Sequence, residues 1–290
     1  MPRKEKQWQD LLASKITEED RQIVESASKD GKRYDVLYLS NVINGGWLHI
    51  NCITCYLNYT GGGDKRKTNT FIALTLNEFV TEKRKWLKQH WTKLKGVAIV
   101  ECIDNTHFHS VYLVPMKHNL PIIGYDSKSI YDKDRRSDLF GDDWNKIKDG
   151  STWDWNKITE GSTWTPELKK REQQSVSRLV SLISSVAEIA VELNRGCMSE
   201  AYFNERGIKR PWKILRSFVS QKDYTSCGVL TCLFLESMRG GYNISGVKKD
   251  IHSAELEEYR WTIGKKLFQY RNEDYTTKRG KREKVVDVID

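Results

Sequence analysis

The sequence contains no long hydrophobic run. Among its 290 residues, no apolar segment approaches the roughly 18 to 20 residues that a membrane-spanning helix needs. Its mean hydropathy is −0.64, so we expect no membrane association. Cysteine is also scarce, because six cysteines are too few for a disulfide scaffold of this size, and the first ten residues lack the pattern of a signal peptide. We therefore expect a chain that works in a reducing compartment.

Complete motifs for metals and nucleotides are also missing. The segment CITC (52–55) follows His49, but no second ligand pair comes at zinc-finger spacing. His107 and His109 share a strand face as metal-binding pairs do, yet we expect no carboxylate or third histidine to complete that site. The glycines at 61–63 lack the spacing of a phosphate loop. The sequence therefore predicts neither a metal nor a cofactor.

Charge and aromatic residues are plentiful. Lysine and arginine number 48 against 39 acidic residues, which gives a net charge of +9. The basic residues are interspersed with acids or lie on one charged helix face, as in 81–95, and such a face is typical of a solvated surface. Nucleic acid is therefore not the expected partner. The 10 tryptophans, 13 tyrosines and 8 phenylalanines suffice to fill a core.

Periodicity and turn signals divide the chain into helical and extended segments. Helices are predicted over about 5–15, 17–29, 47–59, 76–91, 166–195, 227–238 and 253–270. Strands are predicted over 34–39, 96–102, 108–116, 120–126 and 213–219. The strands at 108–116 and 120–126 are close enough to form an antiparallel hairpin.

Residues 143–164 contain an internal duplication with a period of 11, in which DWNKIKDGSTW is followed by DWNKITEGSTW. Two copies are too few for a solenoid, so we interpret this segment as a tryptophan-rich insertion. Its four tryptophans fit either a surface that recognises a protein partner or a pair of hairpins that pack on themselves.

The segment QKDYTSCGVLTCLFLESM (221–238) carries the clearest chemistry. A polar turn ends at Ser226, and Cys227 begins an apolar helix. A thiol at a helix N-terminus meets the positive end of the helix dipole and unpaired N–H groups, which favour the thiolate. Gly228 is expected to leave the approach to the sulfur open, whereas Cys232, inside an apolar run, is expected in the core.

A cysteine nucleophile needs a base, and the base needs an acceptor that orients it. His109 lies in one strand of the predicted hairpin, and Asp126 ends the next strand. Because neighbouring antiparallel strands bring such residues side by side, we expect the imidazole and the carboxylate to meet at the end of the sheet. Together with Cys227 they would form a Cys/His/Asp triad.

These residues resemble the Ulp/SENP-type cysteine proteases, which process ubiquitin-like modifiers and share a fold with adenovirus protease. The family order is His, Asp, Gln and Cys, with the last two as Q-x5-C-G. Here Gln221 precedes Cys227 by six positions, and His109 precedes Asp126 by 17 positions. Asp126 lies in the segment GYDS (124–127), which matches the strand end that carries the family's aspartate. The segment GGWL (45–48), followed by a helix, resembles the family's upstream motif.

The resemblance implies an α+β, papain-like or adenain-like fold, in which a central antiparallel sheet is flanked by helices and the catalytic cysteine begins a helix. It implies an N-terminal helical extension (1–32), a protease domain (33–271) containing the 143–164 insertion, and a charged C-terminal tail (272–290), which we expect to be mobile at its end.

The resemblance also implies a role for each matching residue. Cys227 would attack the carbonyl of a C-terminal glycine, His109 would move the proton, and Asp126 would hold the imidazole. Gln221 would donate to the oxyanion together with the backbone N–H of Cys227. Trp47 would wall a narrow channel for a Gly-Gly tail, and Ser110 and Gly228 would complete the substrate-binding positions.

Two departures leave the substrate open. Family members specific for SUMO usually have tryptophan directly after the catalytic histidine and aspartate three residues after the upstream tryptophan, where this chain has Ser110 and Ile50. The modifier could be SUMO, ubiquitin or NEDD8. Two other functions stay open: a non-catalytic module that binds a modifier or another protein, and an acetyltransferase like those of related bacterial effectors. We expect cytoplasmic or nuclear action, or action in a host cytosol for a secreted effector.

Overall fold

A computed structural model provides the structure of the chain. It describes residues 7–13, 16–29, 42–61, 71–104, 107–115, 122–127, 166–195, 212–214, 219, 221, 223, 225–242 and 251–286. The strand predicted at 34–39 and the duplicated insertion at 143–164 lie outside these residues. No helix within the described ranges combines the length and the apolar character needed to cross a bilayer.

A five-stranded mixed sheet forms the centre of the fold, with the strands in chain order across it. The central strand pairs antiparallel with the strand on each side of it, and each edge strand runs parallel to the strand beside it. The strands are β1 (Phe71–Thr75), β2 (Gly96–Ile103), β3 (His107–Leu113), β4 (Ile122–Asp126) and β5 (Trp212–Ile214).

Six helices accompany this sheet in the described part of the chain, together with short 3-10 and π-helical turns. They are α1 (Glu18–Lys29), α2 (Ile50–Gly61), α3 (Arg84–His90), α4 (Pro166–Arg195), α5 (Cys227–Gly240) and α6 (Ser253–Val286). Thr17 caps α1, because its hydroxyl accepts the Asp20 N–H at 3.1 Å.

The two faces of the sheet bury two separate cores, since alternate residues of a strand point to opposite faces. On one face, Val111 and Leu113 pack with Leu179 and Ile183 of α4. On the other face, Phe108, Tyr112 and Tyr125 pack with residues of α2 and α5, including Cys52, Ile53, Leu230 and Phe234. The sheet is therefore covered on both sides, in an α+β arrangement that agrees with the predicted fold class.

A partly buried carboxylate joins the helices of the second core. Glu236 of α5 accepts hydrogen bonds from the hydroxyls of Tyr56 in α2 and Tyr259 in α6, at 2.6 Å and 2.7 Å. Because a charged acceptor strengthens each bond, this contact fixes α5 between its two neighbours. The helix that begins with Cys227 is therefore held at a defined position on the sheet.

The structure corrects several predicted bounds. Phe71–Thr75 is a strand that the sequence analysis did not predict, and the helix predicted at 76–91 is interrupted by a π-helical turn at Glu78–Glu82. The central strands are antiparallel as expected, but both edge strands are parallel. Helix α6 continues to Val286, so the predicted tail boundary at 272 does not coincide with a helix end.

Candidate active site

The antiparallel pairing of β3 with β4 places His109 directly opposite Asp126. Their side chains lie on the same face, and His109 Nε2 is 3.3 Å from Asp126 Oδ2. Both side chains are almost fully buried, at 1% exposure each. The predicted meeting of these two residues at the end of the sheet is therefore present in the structure.

A second histidine contacts the same carboxylate. His107, the first residue of β3, shares the face of His109 and lies diagonally across from Asp126, within reach of its side chain. The distance from His107 Nε2 to Asp126 Oδ1 is 2.6 Å, shorter than the contact of His109. The expectation that no carboxylate lies beside the His107/His109 pair is thus wrong, because Asp126, which was predicted to meet His109, also contacts His107.

The electrostatics of this group determine its tautomers. Burial alone would raise the pKa of Asp126, but the hydrogen bonds and charges of His107 and His109 outweigh it and hold that pKa well below its ordinary value. An ionised carboxylate only accepts hydrogen bonds, so each Nε2 facing it must carry the proton. In a neutral imidazole the other nitrogen, Nδ1, is then the basic atom.

His109 has a second acidic neighbour. Glu101 of β2 lies opposite it on the side away from Asp126. Burial raises the pKa of Glu101, while the charges of His109 and Arg178 lower it. His109 is therefore enclosed between two strands, whereas His107 stands at the strand end and is the more exposed of the two, at 6%.

The same three side chains have a spacing that could hold a metal ion. One potential ligand atom each from His107, His109 and Asp126 lies within 4.8 Å of the others. Two nitrogens and a carboxylate oxygen suit zinc or another first-row divalent ion. The contacts described above, however, already satisfy the carboxylate with two N–H donors, so the geometry does not require a cation.

Cys227 is the first residue of α5 and is buried, at 1% exposure. The turn before it is organised by Asp223, whose Oδ1 accepts the N–H groups of Thr225 and Ser226 at 2.8 Å and 2.7 Å. Its Oδ2 accepts the Ser226 hydroxyl at 2.6 Å. Burial opposes the charge of Asp223, but these bonds prevail and lower its pKa. The turn thus presents the thiol at the N-terminus of a 14-residue helix.

Tyr125 links the cysteine to the histidine–aspartate group. Its ring packs on Phe234 of α5 at a centroid distance of 4.7 Å, and its hydroxyl donates to Val219 O at 2.7 Å. Burial raises the pKa of Tyr125 well above its ordinary value, and the negative charges of Asp126 and Cys227 raise it further. Cys227 and Asp126 therefore both lie near this tyrosine at one end of the sheet, the thiol on the α5 side.

Gln221 is held at the same end of the sheet. Its backbone N–H donates to Ser127 O at 2.7 Å, and the Ser127 hydroxyl donates to Gln221 Oε1 at 3.3 Å. Because Ser127 directly follows Asp126, the glutamine is anchored beside the carboxylate. With its oxygen engaged, the amide N–H of Gln221 points toward the Cys227 turn, where the contact of Nε2 with Asp223 Oδ1 is a weak 3.5 Å.

Gly228 has a packing role rather than the predicted open approach. A Cβ at this position would stand 2.8 Å from Leu48 Cβ and 3.3 Å from Ile53 Cδ1, closer than packed atoms allow. Glycine thus lets the start of α5 approach the segment before α2. Trp47, the neighbour of Leu48, is partly exposed next to this contact, as a channel wall would be.

Ser110 has no solvent-exposed surface that could contact a substrate. It is fully buried opposite Tyr125, because strand alternation turns it toward the core under α5. The structure therefore gives no support to a substrate-binding role for Ser110. Cys52 and Cys232 are also fully buried among apolar side chains, in agreement with their predicted core positions.

Comparison with known proteins identifies the fold. No family model matches the sequence, and no curated protein matches it either. Solved structures do match. The chain has the fold of the Ulp1 protease domain. One match is the SUMO protease Ulp1 with its catalytic cysteine oxidised to a sulfinic acid, at a TM-score of 0.54 and 13% identity, covering 89% of this chain and 98% of that chain.

A second match is the C-terminal Ulp1 protease domain in complex with Smt3, the yeast ortholog of SUMO. It has a TM-score of 0.53 and 11% identity and covers 89% of this chain and 97% of that chain. The predicted resemblance is confirmed at the level of the fold, which the two chains share almost throughout the Ulp1 domain. At such identities, side-chain chemistry must be argued from the residues of this chain.

Proposed function

We propose that the chain is a cysteine protease that cleaves after the C-terminal glycine of a ubiquitin-like modifier. The observation that carries the proposal is the contact of His107 and His109 with the buried Asp126, beside Tyr125, whose pKa the charges of both Asp126 and Cys227 raise. A buried carboxylate that orients an imidazole and a thiol at a helix N-terminus are the groups that cysteine nucleophiles use. The Ulp1 fold around it supports a modifier protein as the substrate.

In this mechanism a histidine Nδ1 takes the proton of the Cys227 thiol. The sulfur attacks the carbonyl carbon of the terminal glycine, and the oxyanion accepts hydrogen bonds from the Cys227 N–H and the amide of Gln221. The imidazolium then protonates the leaving amine, which departs as the thioester forms. Water, deprotonated by the same nitrogen, hydrolyses the thioester and restores the thiol.

The geometry favours His107 over the predicted His109 as the base. His107 makes the shorter contact with Asp126, and it is the first residue of β3, at the open end of the strand. His109 lies two residues inside the strand, enclosed by Glu101 and Asp126. We assign His109 the role of a second donor that keeps the carboxylate ionised and oriented.

The modifier itself is part of the proposal. The complex of Ulp1 with Smt3 supports a SUMO-type substrate, whereas the departure at Ile50 leaves ubiquitin and NEDD8 as alternatives. With His107 as the base, the residue directly after the histidine is Phe108 rather than Ser110. The catalytic mechanism needs a reduced thiol, so we propose action in the cytoplasm or nucleus of the producing cell or of a host. The tryptophan-rich 143–164 segment remains a proposed protein-binding element.

The experiment compares wild type with Cys227→Ala on modifiers whose C-terminal glycine carries a fluorogenic amide. We expect turnover by the wild type and none by the variant, with equal melting temperatures. Cys232→Ala is the matched control, since it removes a thiol from the same helix but within the core. Turnover retained in Cys227→Ala would exclude the proposal. Binding without turnover by the wild type would indicate a non-catalytic module, and acetylation of protein by acetyl-coenzyme A would indicate a transferase.

A further inference from the structure

The segment Gly45–Leu48 forms a wall beside the cysteine. Gly45 has a φ of 72°, a left-handed conformation that favours glycine, so the chain turns sharply before Trp47. Leu48 is buried against Gly228, the residue that follows Cys227. Trp47 is therefore the direct neighbour of Leu48, which contacts the start of α5. Because the Trp47 side chain is itself partly exposed, its position depends on how the backbone of this segment is anchored.

The anchor is a residue far away in the sequence. Arg260 of α6 is buried, at 5% exposure, and its Nη1–H donates to Gly46 O at 2.6 Å. A buried guanidinium that binds a backbone carbonyl with such a short hydrogen bond restrains the chain on both sides of that carbonyl. Trp47 follows directly, so its backbone is fixed by α6 on one side and by the packing of Leu48 on the other.

Arg260 also lies within the electrostatic reach of the catalytic turn. Burial lowers its pKa, and the negative charges of Asp223, Glu257 and Cys227 act in the opposite direction. By reciprocity, a positive charge that is stabilised by a thiolate stabilises that thiolate in return. The guanidinium that binds Gly46 O thus also feels the charges of the Asp223 turn and of Cys227.

We propose that Arg260 is a positioning residue of the protease site, which fixes Gly46 so that Trp47 forms a wall of the substrate channel beside Cys227. Because the guanidinium binds Gly46 O, two residues before the Leu48 that packs on Gly228 beside Cys227, its positive charge also favours the thiolate over the thiol. The role of Arg260 in the substrate channel rests on the proposed function. Its effect on the reactivity of the Cys227 thiol does not depend on that function. A planar, permanently charged guanidinium suits both tasks, since a lysine would retain the charge but not the geometry.

Two substitutions separate these tasks. Arg260→Lys keeps a positive charge but shortens and redirects the donor, whereas Arg260→Met removes both charge and donor. Arg239 provides a matched control, because it is another partly buried arginine that donates to a backbone carbonyl, Leu57 O at 3.1 Å, and to the Thr60 hydroxyl at 2.8 Å. It lies near the opposite end of α5 from Cys227, so Arg239→Met repeats the chemical change away from the site.

The measurements are the rate at which iodoacetamide alkylates Cys227 at pH 7, followed on the Cys227 peptide by mass spectrometry, and kcat and KM on the modifier amide. We expect Arg260→Met to slow alkylation about tenfold, because the loss of a nearby positive charge disfavours the thiolate, the form that reacts with iodoacetamide. We expect Arg260→Lys to alkylate near the wild-type rate but to raise KM about fivefold, the value of one hydrogen bond. Arg239→Met should leave both quantities unchanged.

Far-UV circular dichroism and melting temperature accompany each variant. If Arg260→Met does not fold, Arg260→Lys together with Trp47→Ala decides the question, since both should raise KM and the double variant should add nothing further. Equal effects of Arg260→Met and Arg239→Met on alkylation and KM would overturn the inference. If no modifier is cleaved by the wild type, the proposed function fails, while the alkylation rates still test the charge of Arg260.

Discussion

His107 and Asp126 form a buried hydrogen bond of 2.6 Å between the first residue of β3 and the last residue of β4. The bond joins the ends of two strands rather than their middles, so the histidine stands at the end of the sheet rather than inside it. His109, which lies inside the strand, contacts the second oxygen of the same carboxylate. This division of one carboxylate between two histidines gives the site its most direct tests.

The first prediction separates the two histidines. In glutamine, the side-chain amide nitrogen takes the place of Nε2, so His107→Gln and His109→Gln both keep a donor to Asp126 while removing a base. We expect His107→Gln to lower kcat by about 100- to 10,000-fold, the range of a lost general base. His109→Gln should lower kcat by about tenfold or less, because it only weakens one hydrogen bond to Asp126. Steady-state kinetics on the modifier amide measure both, and the reverse order would assign the base to His109.

The second prediction concerns the approach of α5 to the wall segment. Gly228→Ala places a methyl group 2.8 Å from Leu48 Cβ, so we expect it to lower the free energy of unfolding by about 1 to 3 kcal/mol. Leu48→Gly removes the clashing Cβ itself, and it should also destabilise the protein, through a cavity. The double variant should be more stable than the sum of the single effects predicts, as urea unfolding would show. Strict additivity would mean that the two residues are not in contact.

The third prediction is a pH dependence at the Asp223 turn. The pKa of Asp223 is lowered in the folded protein, so its ionised form stabilises the fold above the unfolded pKa of about 3.9. That contribution is lost as the pH falls through the lower folded pKa. Asp223→Asn should therefore destabilise the protein at pH 7, and the difference from wild type should shrink below about pH 4. Thermal unfolding across this range measures it, and a difference that grows on acidification would refute the assignment.

The fourth prediction uses a site remote from the chemistry. Glu236→Gln weakens the acceptor that joins Tyr56 and Tyr259, so we expect a loss of about 1 to 3 kcal/mol in unfolding free energy. Cys227 lies about nine residues earlier on the same helix, more than two turns away. Alkylation of Cys227 should therefore proceed at the wild-type rate below the melting temperature. A slowed reaction would show that this hydrogen-bond group also positions the thiol.

Local patterns were sufficient to predict much of the site. The alternation of apolar residues in two adjacent segments predicts the hairpin, and the pairing of His109 with Asp126 follows from its register. The polar turn before an apolar run likewise predicts that a helix begins at Cys227. Each of these inferences depends on residues close in the sequence, where spacing alone determines which side chains share a face.

The remaining features depend on contacts between distant segments. Phe71–Thr75 is a short apolar run whose strand character comes from parallel pairing with β2, which no turn signal announces. The contact of Arg260 with Gly46 spans 214 positions, and nothing near either residue predicts it. The diagonal contact of His107 with Asp126 could also be predicted from the sequence, because His107 shares the strand face of His109, beside which Asp126 was already expected.

The measurement that tests the central claim most directly is covalent capture of Cys227. SUMO, ubiquitin and NEDD8 with an electrophile in place of the C-terminal carboxylate are incubated with wild type and with His107→Gln, and the site of attachment is read by peptide mass spectrometry. A protease site predicts attachment of at least one modifier at Cys227, strongly slowed in His107→Gln. The account would be contradicted if no modifier attached to Cys227 while iodoacetamide still reached that thiol.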